Sequence, residues 1–184
     1  MKLRLLPLLL QFCLSIAATS ASAQTPDVVG QWRSRGLEAA GPMHVTRAFT
    51  LTDTEWTVVF HAFGDAQGMQ PLFTLNVGGI YVIGAASAKV SGAYDAVFPA
   101  NHRHITADSD QGVAMFAGMG CRLNKGEETA LIQRGCGFVP GLMNAMGEYD
   151  LVALKDGQLF FGDRSGDLTK LRPAFLTTYP LVRK

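Results

Sequence analysis

The sequence predicts an all-β fold: a single antiparallel β-barrel or half-barrel of about nine short strands, with at most one short helix. Three observations lead there. Apolar and polar residues alternate with period two through most of the first half. Turn-forming residues and short polar links separate the alternating runs at hairpin spacing. Helical periodicity is scarce.

The first pair of runs is Val45–Leu51 and Trp56–Ala62. In the former, Val45, Arg47, Phe49 and Leu51 share a face opposite Thr46, Ala48 and Thr50. In the latter, Trp56, Val58, Phe60 and Ala62 share one opposite Glu55, Thr57 and His61, with Val59 the exception. Thr52-Asp53-Thr54 is a polar link short enough for a hairpin. After Pro71, Phe73, Leu75 and Val77 alternate with Thr74 and Asn76. Gly78-Gly79 then interrupts ahead of Ile80–Ile83, which reads as a bulge or sharp bend of the kind barrel corners need. Further strands are expected at Ala93–Phe98, His102–Thr106, Tyr149–Leu154, Gln158–Gly162 and near Leu176–Leu181, with Asp156-Gly157 turning a hairpin. The helix candidate is Gln111–Met119, whose Gly112 and Gly118 lower its propensity. Phe138-Val139-Pro140-Gly141 opens a Met- and Gly-rich loop that runs to Gly147. Many short strands joined by turns satisfy either a sandwich or a barrel.

At the N-terminus, Lys2 and Arg4 precede an apolar run from Leu5 to Ala18, and Ala21-Ser22-Ala23 supplies small residues before a cut. This is the order of a secretory signal peptide, expected over residues 1–23, leaving one domain over residues 24–184 that is periplasmic or secreted. The apolar run is too short to span a bilayer, which takes about 20 residues, and no later segment is long enough. Gln24 rather than Cys follows the cut, which argues against a lipoprotein anchor. Removing Lys2 and Arg4 from the 16 Lys+Arg leaves 14 against 15 Asp+Glu, so the electrostatic footprint of a nucleic-acid binder is missing. Low net charge with ample apolar content excludes a disordered chain.

Two cysteines, Cys121 and Cys136, remain after the cut, and an even count in an oxidising compartment predicts a disulfide. His102 and His104 share a strand face and could chelate, but no third ligand stands at metal-site spacing, so no metal is expected. Arg103 and Asn101 beside them read as an exposed edge. The serines carry no Gly-x-Ser-x-Gly context, the Asp residues fall in turns, and the Gly pairs do not match a phosphate loop. No catalytic residue, cofactor or enzymatic activity is assigned.

Arg47 is the odd residue of its inward face. A buried cation needs a partner, and Glu38 is the natural one, with Trp32 as a surface to stack on; the alternative is an Arg reaching solvent at the barrel end. Cavity candidates chosen by parity are Trp56, Val58, Phe60, Phe73, Leu75 and Val77, with Met115, Phe116 and Met119 near a possible mouth. Methionines suit either a flexible apolar mouth or gaps in a core.

Gly30-Gln31-Trp32-Arg33-Ser34, Glu38 and Thr46-Arg47-Ala48-Phe49 resemble the opening of the adenomatosis polyposis coli down-regulated protein 1 family, which runs Gly-x-Trp-x-Ser-x-x-Cys-Glu and then Thr-Arg-x-Phe. Asp65 with Pro71-Leu72-Phe73 resembles that family's Asp-x-x-Cys-x-x-Pro-x-Phe segment. Tyr149-Asp150-Leu151 through Leu159–Asp163 is similar to bacterial single-domain relatives, and the blocks span Gly30 to Pro173 in order. Two departures stand out: Leu37 and Gly68 occupy the places of the two cysteines, a joint loss that makes sense if those cysteines would have paired. The resemblance implies a lipocalin-like β-barrel with an apolar cavity. Animal members carry two such domains at the cell surface and antagonise acylated Wnt signals by engaging the acyl chain.

The expected function is therefore an exported, non-enzymatic domain that binds a lipid or acyl chain. The alternatives are a lipocalin proper, with Arg164 capping Trp32; an interaction domain with a filled core that forms a homodimer; and an unrecognised hydrolase using Asp or His.

Overall fold

Antiparallel pairing joins the alternating runs into one sheet. The computed structural model describes residues 25–144 and 147–184; the expected signal segment, residues 1–23, lies outside them, as do residues 145–146 of the Met- and Gly-rich loop. The strands are β1 (Gly30–Ser34), β2 (Glu38–Ala40), β3 (Met43–Leu51), β4 (Glu55–Phe63), β5 (Pro71–Ile80), β6 (Val82–Ala86), β7 (Tyr94–Pro99), β8 (His102–Ala107), β9 (Glu128–Ala130), β10 (Gly147–Lys155), β11 (Gln158–Phe161) and β12 (Leu181–Arg183). Helix α1 spans Asp110–Gly118 and a short 3-10 turn Leu142–Asn144. The additional strands are β1, β2 and β9. β2 and β9 have three residues each, too few to show a period, and β1 carries one large apolar residue, Trp32. The last strand starts at Leu181, while Leu176 makes a single bridge to Gly162.

The order across the sheet is β6-β7-β10-β11-β12-β1-β3-β4-β5-β8-β9, with β2 attached to β3. The outermost strands β6 and β9 do not pair with each other, so the sheet curls into an open half-barrel. Asp156 (φ 51°) and Gly157 (φ 71°) turn β10 into β11, the left-handed pair that a two-residue hairpin loop requires.

Gly78-Gly79 is not a bulge. Both residues stay in register, opposite Thr57 and Trp56, and the shift in this pairing lies at Ala62/Phe63 instead. The glycines serve close approach: a Cβ on Gly79 would sit 2.2 Å from the Pro99 carbonyl oxygen. That carbonyl accepts a 3.1 Å hydrogen bond from the Trp56 indole N–H. The end of β7 is thereby drawn onto β5, which curls the sheet.

Among the described residues two large apolar cores result, with a smaller cluster of Ala93, Leu151 and Ala153 beside them. One joins Trp32, Leu51, Trp56, Phe98, Phe161 and Leu181 across the curl. The other gathers Phe73, Ile105, Phe116, Leu123, Leu131 and Val139 under α1 and the segment that follows it. Ser109 caps α1 by accepting a hydrogen bond from the Gly112 N–H at 3.1 Å. Gly112 itself lets the helix lie on β5, since a Cβ there would meet the Leu72 carbonyl oxygen at 1.9 Å. No helix among the described residues is long and apolar enough to cross a membrane.

Candidate functional site: an apolar cavity with a charged wall

Register decides what the concave face presents. Phe49, Val58, Val77 and Arg103 stand in one row across β3, β4, β5 and β8. Arg47, Phe60, Leu75 and Ile105 form the next. Between this floor and the opposite wall lies a cavity of about 280 Å³. Phe98 and Phe161 supply the apolar part of that wall, and Phe138, Val139 and Pro140 close one side. The Cys121–Cys136 disulfide, with Cα atoms 5.2 Å apart, anchors the closing segment, and Cys136 is fully buried. The expected cysteine pair is therefore present.

All six strand residues expected in the cavity, Trp56, Val58, Phe60, Phe73, Leu75 and Val77, line it. Met115, Phe116 and Met119 do not. Phe116 is fully buried edge-on against Phe73 at 5.2 Å, and Met115 packs on the same core. Met119 is exposed beside Gly137. Helix α1 packs against the Phe73 end of the concave face, so its apolar side is core rather than mouth.

The charged part of the wall was not legible in sequence. Arg103, expected on an exposed edge, is buried at 6% exposure, because it shares parity with Ile105 and Ala107. Its Nη1 donates to the Pro140 carbonyl at 3.0 Å, and its Nη2 lies 3.6 Å from Glu148 Oε1. Burial lowers its pKa, partly offset by Glu148. Arg164 donates to Asp150 Oδ2 at 3.1 Å and to Glu148 Oε2. Asp150 Oδ1 accepts the N–H groups of Leu151 and Gly162, each at 2.7 Å. Gly162 leaves it room, since a Cβ there would sit 2.7 Å from that oxygen. Burial pushes the Asp150 carboxyl up to about 6, although Arg164 and the two N–H groups pull it down. Parity at Arg103 was the one available signal; Asp150–Ala153 are all buried and show no alternation, and Arg164 follows β11 in a loop.

Arg47 pairs with Glu38 as expected, Nε to Oε2 at 2.8 Å, and donates to the Tyr179 carbonyl at 2.8 Å. Glu38 also accepts from the Ser34 hydroxyl at 2.6 Å. The cation over Trp32 is neither Arg47 nor Arg164 but Arg183, 4.6 Å from the ring centroid. Register explains it: β12 pairs with β1 so that Arg183 lies opposite Trp32, while Arg47 faces the cavity. His102 and His104 stack on one face at 5.8 Å, and no group of three potential ligands surrounds a metal position among the described residues.

The profile of the adenomatosis polyposis coli down-regulated 1 family matches residues 14–140. No individually curated protein matches the chain. The matched range includes the floor, Arg103 and the Phe138–Pro140 closure, while Glu148, Asp150 and Arg164 fall after it. Leu37 and Gly68, the two departures from the cysteine pattern, are neighbours: a Cβ on Gly68 would lie 3.3 Å from Leu37 Cδ1. The two positions are thus close enough in space for Leu37 to pack over Gly68.

Proposed function

The chain belongs to the adenomatosis polyposis coli down-regulated 1 family, and from that premise we propose that it is a non-enzymatic, exported domain that binds a hydrophobic ligand, a lipid or acyl chain. One observation carries the reading: the concave face keeps a cavity of about 280 Å³ whose floor is aromatic and aliphatic, where side chains could have filled it. The disulfide is compatible with an oxidising compartment. Native mass spectrometry of the purified chain, with organic extraction, tests it directly. A discrete extra mass that extracts as lipid is the expected result. Phe60→Asp places a charge in the middle of the floor and abolishes lipid uptake while circular dichroism stays unchanged; unaltered uptake by the folded variant overturns the assignment.

A second reading, self-association, has its own observation. Strand β6 is a sheet edge whose first residue, Val82, is more than half exposed, as is Ile80 at the end of β5. A mass that doubles with concentration, without bound lipid, favours that reading.

A further inference from the structure

The charged wall constrains the head of the ligand as the floor constrains its tail. This inference rests on the reading that the cavity holds an apolar chain. The geometry points to a single-chain amphiphile with a carboxylate head as the ligand class, its head held between Arg103 and Arg164 where Glu148 now sits.

Volume sets the tail. A cavity of about 280 Å³ with an apolar floor is at the small end of ligand sites and suits one chain of medium length. Charge sets the head. Both floor rows carry an arginine, but the two are not equivalent. Arg47 is closed off by Glu38 at 2.8 Å and by the Tyr179 carbonyl. Arg103 is equally enclosed, yet its carboxylate partner stands at 3.6 Å, an ion pair beyond good hydrogen-bond distance. A buried guanidinium is best satisfied by a planar, close carboxylate.

Glu148 is that partner only in part. Its carboxylate is divided between Arg103 and Arg164, and its side chain is 22% exposed, so it can turn outward. When it does, two guanidinium groups face the end of the apolar floor. Asp150 does not take its place, because its Oδ1 is held by two backbone N–H groups and its Oδ2 by Arg164. A ligand carboxylate reproduces what Glu148 supplies and adds the tail's burial. An ammonium head gains nothing from an outward turn of Glu148, since that turn leaves it facing the two guanidinium groups.

The test compares decanoate, decanol and decyltrimethylammonium by isothermal titration on the purified chain. The informative quantity is the ratio of decanoate to decanol affinity. The expected ratio is roughly tenfold or more, the worth of charge-assisted hydrogen bonds, with the ammonium weakest. Arg103→Gln brings the ratio to about one. Glu148→Gln, nearly isosteric, removes the internal competitor and raises the ratio by about tenfold. Where Arg103→Gln fails to fold, Glu148→Gln decides alone. A wild-type ratio at or below one, or a ratio that a folded variant does not move in its stated direction, overturns the carboxylate assignment and leaves the cavity reading standing. Failure of all three compounds to bind removes both.

Discussion

Replacing Gly79 by alanine puts a methyl group where the β7 end meets β5. The new Cβ would lie 2.2 Å from the Pro99 carbonyl oxygen and 2.9 Å from both Ala100 Cα and Asn101 N. All three are backbone atoms, so no side chain can swing away, and the turn between β7 and β8 must retreat by about 1 Å to restore contact distance. Overpacking of this kind costs about 1–3 kcal/mol. The retreat also stretches the 3.1 Å bond from the Trp56 indole to Pro99, worth about 1 kcal/mol. The sum is about 2–4 kcal/mol, or a fall in Tm of about 5–15 °C for a domain of this size. Thermal and urea unfolding followed by circular dichroism measures it, with tryptophan fluorescence reporting on Trp56. Gly118→Ala is the matched control: it closes α1 with nothing within 4 Å of the new Cβ, and it should stabilise by up to about 1 kcal/mol. Equal effects at the two positions would refute the argument that close backbone approach, rather than backbone freedom, requires Gly79.

Further outcomes follow from the other contacts. Glu38→Ala strands Arg47 in a site where both side chains are about nine-tenths buried, and should destabilise by about 3–5 kcal/mol; Glu38→Ala with Arg47→Met should recover most of that in denaturant melts. Reducing the Cys121–Cys136 disulfide, which closes a short loop, should cost about 3 kcal/mol, read as a lower urea midpoint with reductant than without. Asp150 gives a pH dependence of unusual sign. Its folded pKa is raised from 3.8 to about 6, so the folded state binds the extra proton between these values. Its contribution is fully present below pH 4 and is lost as the pH rises through 6, by about 3 kcal/mol. Urea melts from pH 4 to 7 should show that fall in the wild-type chain, and Asp150→Asn should flatten it; a wild-type contribution that rises over the same range contradicts the burial argument.

Local pattern determined a large share of this protein. Period-two alternation fixed which side chains of β4 and β5 face inward, because successive residues of a strand must point to opposite faces. That rule alone placed Trp56, Val58, Phe60, Phe73, Leu75 and Val77 in the cavity lining. The even cysteine count anticipated the disulfide, and the odd position of Arg47 anticipated its carboxylate partner. Tertiary structure decided what depends on elements far apart in the chain. The Gly78-Gly79 pair, expected at a bulge or sharp bend, is required by the approach of Pro99 to Gly79, and Phe116, expected near a mouth, packs on Phe73 instead. Arg183 displaced Arg47 over Trp32 because the pairing of β12 with β1 joins the two ends of the described chain, a register no local window contains. The charged wall is the clearest case. Arg103 on β8, Glu148 and Asp150 on β10 and Arg164 beyond β11 become neighbours only when the sheet curls, and one-dimensional periodicity carries no information about which distant strands that curvature brings face to face.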